Sequence, residues 1–68
     1  MKISARNVLD GVVKTVTKGA TTSHVTIDVK GATVTASITN ESVDELGLKA
    51  GEKVKAIIKS SDVMVAVD

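Results

Sequence analysis

The 68-residue sequence predicts a small all-β domain with one short helix, folded as a five-stranded antiparallel barrel. Three observations predict this fold. Apolar and polar residues alternate along most of the chain, turn residues separate the alternating runs, and one acidic segment breaks the alternation. Because no proline, linker, low-complexity stretch or internal repeat divides the chain, we expect a single domain over residues 1–68.

The first three strands are predicted from alternation and from the turns between them. One strand covers about residues 9–17 and ends at Lys18-Gly19. Residues 25–29 and 34–38 each place an apolar side chain at every second position. The two residues Lys30-Gly31 between these runs predict a β-hairpin with a two-residue turn.

The segment TNESVDELGLKAG, residues 39–51, predicts a helix of about two turns. Thr39 or Asn40 can cap its start, and acidic residues occupy its first turns. Gly47 can adopt the left-handed conformation that ends a helix. The following Ala50-Gly51 predicts a turn that returns the chain to the sheet.

The tail VKAIIKSSDVMVAV predicts two more short strands, broken near residues 59–61. Its last apolar run, residues 63–67, is nearly continuous, and we expect it to be buried away from solvent. The chain has no aromatic residue, no cysteine and one histidine, so neither a bulky core, a disulfide nor a metal centre supports so small a domain. We therefore expect a homo-oligomer in which another subunit covers residues 63–67.

Composition excludes several classes of partner. Nine basic and eight acidic residues give a net charge of +1, too little to hold a polyanion or a membrane surface. Small barrels that bind oligonucleotides stack the bases on aromatic side chains, which are absent here. No apolar run approaches the roughly 20 residues of a membrane span, and the N-terminus lacks a signal-peptide pattern. We expect a cytoplasmic protein with no nucleic-acid or membrane partner.

The sequence also argues against an enzyme. The only histidine, His24, sits between Ser23 and Val25 at the start of an alternating strand, and the chain has no cysteine, so we interpret His24 as an ordinary strand or surface residue. Glu41, Asp44 and Glu45 stand where helix energetics favour acids. The glycines are scattered singly and form no phosphate loop. We expect no organic cofactor and no directly ligated metal cation.

Three clusters rich in hydrogen-bond donors remain. They are the segment Ser4, Ala5, Arg6 and Asn7; the helix start with Thr39 and Ser42; and the segment Lys59, Ser60 and Ser61. Arg6 and Lys59 together match the charge of a dianion, and hydroxyls and helix N-terminal N–H groups could saturate its oxygens. Each cluster alone is also explained by turns, solvated charges or helix caps. The alternative is thus a structural or interaction module without specific anion binding.

These clusters, in this order, resemble the molbindin family, small cytoplasmic proteins related to the molybdate-binding domains, of the TOBE type, found in transporter ATPases and molybdate-responsive regulators. The matching segments are SARN at 4–7, Gly11, ITNES at 38–42, LGL at 46–48 and KSSDVMVA at 59–66. The resemblance covers nearly the whole chain.

The resemblance implies an OB-fold-like barrel that assembles into a homohexamer and binds molybdate or tungstate at subunit interfaces, for intracellular molybdenum storage or homeostasis. It implies that one subunit contributes Ser4, Arg6, Lys59 and Ser60, and that a neighbouring subunit contributes Thr39 and Ser42. Further candidate contacts are Ala5, Asn7, Asn40 and Ser61.

A site built only from donors predicts selectivity against phosphate. Molybdate, tungstate and sulfate are fully deprotonated near neutral pH, whereas phosphate retains a hydroxyl that needs an acceptor. Asp62 is the nearby acceptor, and strand alternation would turn it to the opposite face from Ser61. The choice between sulfate and molybdate depends on cavity size, which these residues leave open; the resemblance favours molybdate and tungstate.

Overall fold

The computed structural model describes residues 1–68 and contains four strands and one α-helix. The elements are β1 (Asn7–Lys18), β2 (Thr22–Val29), β3 (Ala32–Thr39), α1 (Asn40–Leu46) and β4 (Lys53–Ile58), followed by a 3-10 turn at Ser60–Asp62. The strands form one antiparallel sheet in the order β3-β2-β1-β4. None of its helices has the length and apolar character needed to cross a membrane.

The hairpin between β2 and β3 confirms the predicted two-residue turn. Lys30 and Gly31 both have positive φ, 50° and 89°. Two positive φ values define a type I′ turn, whose twist matches that of the strands it joins. The Asp28 carboxylate reinforces the turn by accepting a hydrogen bond from the Gly31 N–H at 3.0 Å.

Helix α1 begins and ends where the sequence predicts. Thr39 is extended (φ −68°, ψ 151°), and its Oγ1 accepts a hydrogen bond from the Ser42 N–H at 3.1 Å. It is therefore the N-cap. Gly47, with φ 64°, takes the left-handed position after the last turn. The helix buries Val43 against the sheet.

Gly11 allows β1 to pass close to β2. A Cβ atom on this residue would lie 2.6 Å from Ile27 Cγ2 and 2.8 Å from the Asp28 carbonyl oxygen. Distances this short are steric clashes, so any side chain at position 11 would push the two strands apart. The lack of a side chain on Gly11 therefore allows β1 and β2 to lie close together at this point.

The core is small for the amount of apolar residue in the chain. Five apolar residues are buried: Val13, Val25, Ile27, Val43 and Ala56. Only 6 of 68 residues are buried in all, so most of the aliphatic side chains remain partly or fully in contact with solvent. A core of this size alone supplies little stability.

The prediction of five strands in a closed barrel is wrong for the single chain. Residues 63–67 pair with no strand, and Met64 and Val65 are 94% and 89% exposed. β3 and β4 are the free edges of the sheet, and an open, mainly apolar cavity of about 900 Å³ lies between them. A β-strand is held by hydrogen bonds to a neighbour, so an apolar run specifies a buried segment without specifying its partner.

Candidate functional site

The predicted site residues fall into two groups at opposite ends of the sheet. Asn7, which begins β1, pairs with Ile58, which ends β4, so residues 4–7 and 59–61 emerge side by side. Thr39 pairs instead with Thr22, beside the far end of β1. β1 has 12 residues, and at about 3.3 Å per residue its ends are on the order of 30 Å apart. One chain therefore cannot bring both groups to a single anion.

We call the first group, Ser4, Arg6, Lys59 and Ser60, the cationic end; all four residues are exposed. The salt bridges of the structure are Lys18–Asp44 at 2.7 Å and Lys55–Asp10 at 2.6 Å. Arg6 and Lys59 thus have no carboxylate partner, and their charges remain available to an anion.

The ion pair between Lys55 and Asp10, on the two strands that lead to the cationic end, contrasts with the unpaired charges of Arg6 and Lys59. Lys55 lies directly opposite Asp10 on β4 and β1, and its hydrogen bond and charge lower the pKa of that carboxyl. Asp10 thus compensates the charge of Lys55. No carboxylate compensates Arg6 or Lys59 in this way.

The residues after Lys59 form a tight turn. The Asp62 N–H donates to the Lys59 carbonyl at 2.9 Å, and the Val63 N–H donates to the Ser60 carbonyl at 3.3 Å. Asp62 lies in a 3-10 turn and not in a strand, so the premise that strand alternation would direct its side chain is wrong. Ser61, a further candidate contact, is exposed in the same turn.

We call the second group, Thr39 and Ser42, the hydroxyl end. Thr39 Oγ1 accepts from the Ser42 N–H and donates to Ser42 Oγ at 2.9 Å. A hydroxyl has one proton, so this bond occupies the proton of Thr39 and leaves that of Ser42 for another acceptor. Of this pair, Ser42 is the free donor.

Asn40 is occupied by the fold. Its Nδ2 donates to the carbonyls of Gly19 at 3.1 Å and Ala20 at 3.4 Å, its Oδ1 accepts from Ser23, and its N–H donates to the Thr21 carbonyl at 2.9 Å. An amide has two side-chain N–H groups, and both are engaged. Asn40 therefore locks α1 to the β1–β2 connection. Because the N–H groups of Asn40 and Ser42 are both bonded within the chain, the helix start offers fewer backbone donors than the sequence predicts.

Ser23 is a structural residue that sequence reasoning missed. It is the only buried polar residue, with 0% exposure, and its hydroxyl donates to Asn40. The signal was present in the alternation, since Ser23 has the same parity as the buried Val25 and Ile27 on β2. A serine on the buried face of a strand indicates a specific hydrogen-bond partner.

The remaining candidates take simpler positions. Ala5 is half-buried and can offer an anion only its backbone N–H. Asn7 is half-buried and donates to the Ile58 carbonyl at 3.2 Å. His24 is exposed on β2, opposite Thr17 and Ser37, as expected for a strand or surface residue.

Substitution of Thr39 tests its role as the N-cap of α1. We expect Thr39→Ala to lower the free energy of unfolding by about 1 kcal/mol, because the cap bond to the Ser42 N–H is lost. Thr39→Asn retains a capping group and should recover most of the loss. Chemical denaturation of both variants measures the effect, and equal stability of Thr39→Ala and the unmodified protein would contradict the capping role.

Comparison with known proteins shows close relatives over the whole fold. The sequence profile of the TOBE domain family matches residues 3–65. Molybdenum-pterin-binding protein 3 of Clostridium pasteurianum is 46% identical over 66 residues, which cover 96% of this chain and 97% of the relative. A molybdate-binding protein from Sporomusa ovata superposes with a TM-score of 0.94 at 40% identity, covering 98% of this chain and all of the other. The cytoplasmic molybdate-binding protein ModG, with molybdate bound, superposes with a TM-score of 0.89 at 45% identity, covering 94% of this chain and 46% of ModG.

Proposed function

This chain belongs to the TOBE domain family, and we propose that it binds molybdate at interfaces between its own subunits, serving intracellular molybdenum storage or homeostasis. The observation that carries the proposal is the uncompensated pair Arg6 and Lys59 at adjoining strand ends. The molybdate-binding relatives supply the identity of the anion. The protein is a binding protein and not an enzyme, so it takes up and releases the oxyanion unchanged.

The chemistry of the cationic end fits a tetrahedral dianion. Arg6 offers a planar fork that can hold two oxygens at once, and Lys59 offers a second positive charge. Ser4 and Ser60 add hydroxyl donors beside these cations. Tungstate has the same charge and shape as molybdate, and we propose that it binds in the same way.

The separation of the two ends leads to an interface site. Because the hydroxyl end lies on the order of 30 Å along the sheet from the cationic end, Ser42 can reach the same anion only from a neighbouring subunit. Thr39 would then act mainly by holding Ser42, to which it donates. The complete site would combine two charges from one subunit with hydroxyl donors from another.

Assembly would also cover the apolar surfaces that the open sheet leaves exposed. Residues 63–67 are apolar and unpaired, and the cavity of about 900 Å³ between β3 and β4 is mainly apolar. We propose that these surfaces are covered in a homo-oligomer, and that this oligomer is a hexamer, as the molbindin resemblance implies. The description of ModG as cytoplasmic supports the same location for this protein.

Equilibrium dialysis against molybdate, tungstate, sulfate and phosphate tests the proposal. We expect saturable binding of molybdate and tungstate. Phosphate should bind more weakly if the Asp62 carboxylate, which lies in the turn after Lys59, stays outside the site, because the phosphate hydroxyl then meets only donors. Absence of binding at millimolar molybdate would reject the proposal. The alternative, a structural or interaction module without specific anion binding, would then stand.

A further inference from the structure

Asn7 lies where the cationic end joins the sheet. It is the first residue of β1 and is in register with Ile58, the last residue of β4. Its side-chain Nδ2 donates to the Ile58 carbonyl oxygen at 3.2 Å, in a half-buried position. That carbonyl belongs to the peptide group from which Lys59 continues. The Asn7 side chain therefore holds the peptide that precedes Lys59. Because Asn7 directly follows Arg6 in the chain, it links the backbone at both cations.

No other side-chain hydrogen bond or salt bridge joins residues 1–7 to residues 58–63. Strand pairing between β1 and β4 stops at Asn7 and Ile58. The hydrogen bonds of the following turn, from Asp62 and Val63, remain within residues 59–63. The Asn7 amide makes the only side-chain hydrogen bond between residues 1–7 and the segment formed by β4 and its turn.

We propose that Asn7 is a positioning residue for the oxyanion site. Its side chain fixes the peptide before Lys59 relative to Arg6, so that both cations can bind the same dianion. The inference rests on the proposed function. Lysine and arginine side chains lose much conformational freedom when they are immobilised on a ligand, and a pre-set backbone reduces that loss. Asn7 thus acts through Lys59, and its own contact with the anion is not needed.

A double-mutant cycle tests this role. Asn7→Ala should weaken molybdate binding about fivefold in equilibrium dialysis, the equivalent of one neutral hydrogen bond. In a Lys59→Ala background the same substitution should change affinity little, because the group that it positions is gone. In a Ser42→Ala background the loss should remain about fivefold, because the Asn7 side chain bonds to the Ile58 carbonyl and does not hold Ser42, which reaches the anion from a neighbouring subunit. Asn7→Ser, which keeps a polar side chain but removes the amide, is measured in parallel and should match Asn7→Ala.

A measurement without ligand accompanies the cycle. In Asn7→Ala, hydrogen exchange of the Asp62 and Val63 amides should accelerate, because the turn that contains them loses its anchor. Exchange within α1, at the far end of the sheet, should stay unchanged. Sedimentation of each variant confirms that the oligomer persists before affinities are compared.

The outcomes separate the inference from the proposed function. If the unmodified protein does not bind molybdate, the proposed function fails and this inference with it. If it binds and Asn7→Ala binds equally well, this inference alone is overturned, even when the melting temperature falls. If the loss in Asn7→Ala persists in the Lys59→Ala background, Asn7 acts on the anion by a route other than Lys59, and the positioning role is overturned.

Discussion

Val65→Asp is expected to dissociate the oligomer and to unfold much of the protein. In the single chain Val65 is 89% exposed, within an apolar run that pairs with no strand. In the proposed assembly this run is buried by another subunit, and an aspartate there would place an unpaired charge in an apolar interface, at a cost of several kcal/mol. Because the core of one chain is small, loss of assembly removes stability from the fold itself.

Sedimentation and circular dichroism measure this effect at micromolar protein concentration. Val65→Ile, which keeps an apolar β-branched side chain, is the matched control and should remain assembled and folded. A stable folded monomer of the unmodified protein at the same concentration would contradict the predicted assembly. A fully assembled Val65→Asp would show that residues 63–67 are not part of the interface.

Arg6→Ala should weaken molybdate binding by about 2 kcal/mol or more, roughly 30-fold in the dissociation constant, and should cost the fold little. Arg6 is exposed and forms no salt bridge within the chain, so its removal leaves no buried group unpaired. Arg6→Lys should recover only part of the affinity. Lysine keeps the charge but lacks the planar fork that can bind two oxygens together.

Equilibrium dialysis on the assembled variants measures the arginine effect. Lys2→Ala is the matched control, since it removes one positive charge from an exposed residue of the same segment outside the cationic end. It should change affinity far less than Arg6→Ala. Unaltered molybdate affinity in Arg6→Ala would remove Arg6 from the site, and a loss of stability in its place would show that the side chain supports the fold.

Local features of this protein could be predicted from sequence because neighbouring residues determine them. The hairpin turn at Lys30 and Gly31 depends on two φ values, and the limits of α1 depend on Thr39 and Gly47. Strand faces follow from alternation, which explains why Val25 and Ile27 are buried together. The identity of the donor clusters is also a property of the sequence.

Contacts between distant residues decided which of those donors are free. Asn40 and Ser23 are 17 positions apart, and Asn7 and Ile58 are 51 apart. Composition and spacing contain no information on such pairs, so Asn40 and Asn7 look like anion donors in sequence and are committed to the fold in the structure. The same reason separates the cationic end from the hydroxyl end, because that distance is set by the length and pairing of β1.

The sequence by itself determined the type of each segment, the turns and caps that limit it, and the apolar character of residues 63–67. Only the tertiary structure decided that four strands pair, that the sheet stays open between β3 and β4, and that the last apolar run has no partner in its own chain. The physical reason is that propensity and periodicity act within a few residues, whereas a strand becomes part of a sheet only when another backbone satisfies its N–H and C=O groups.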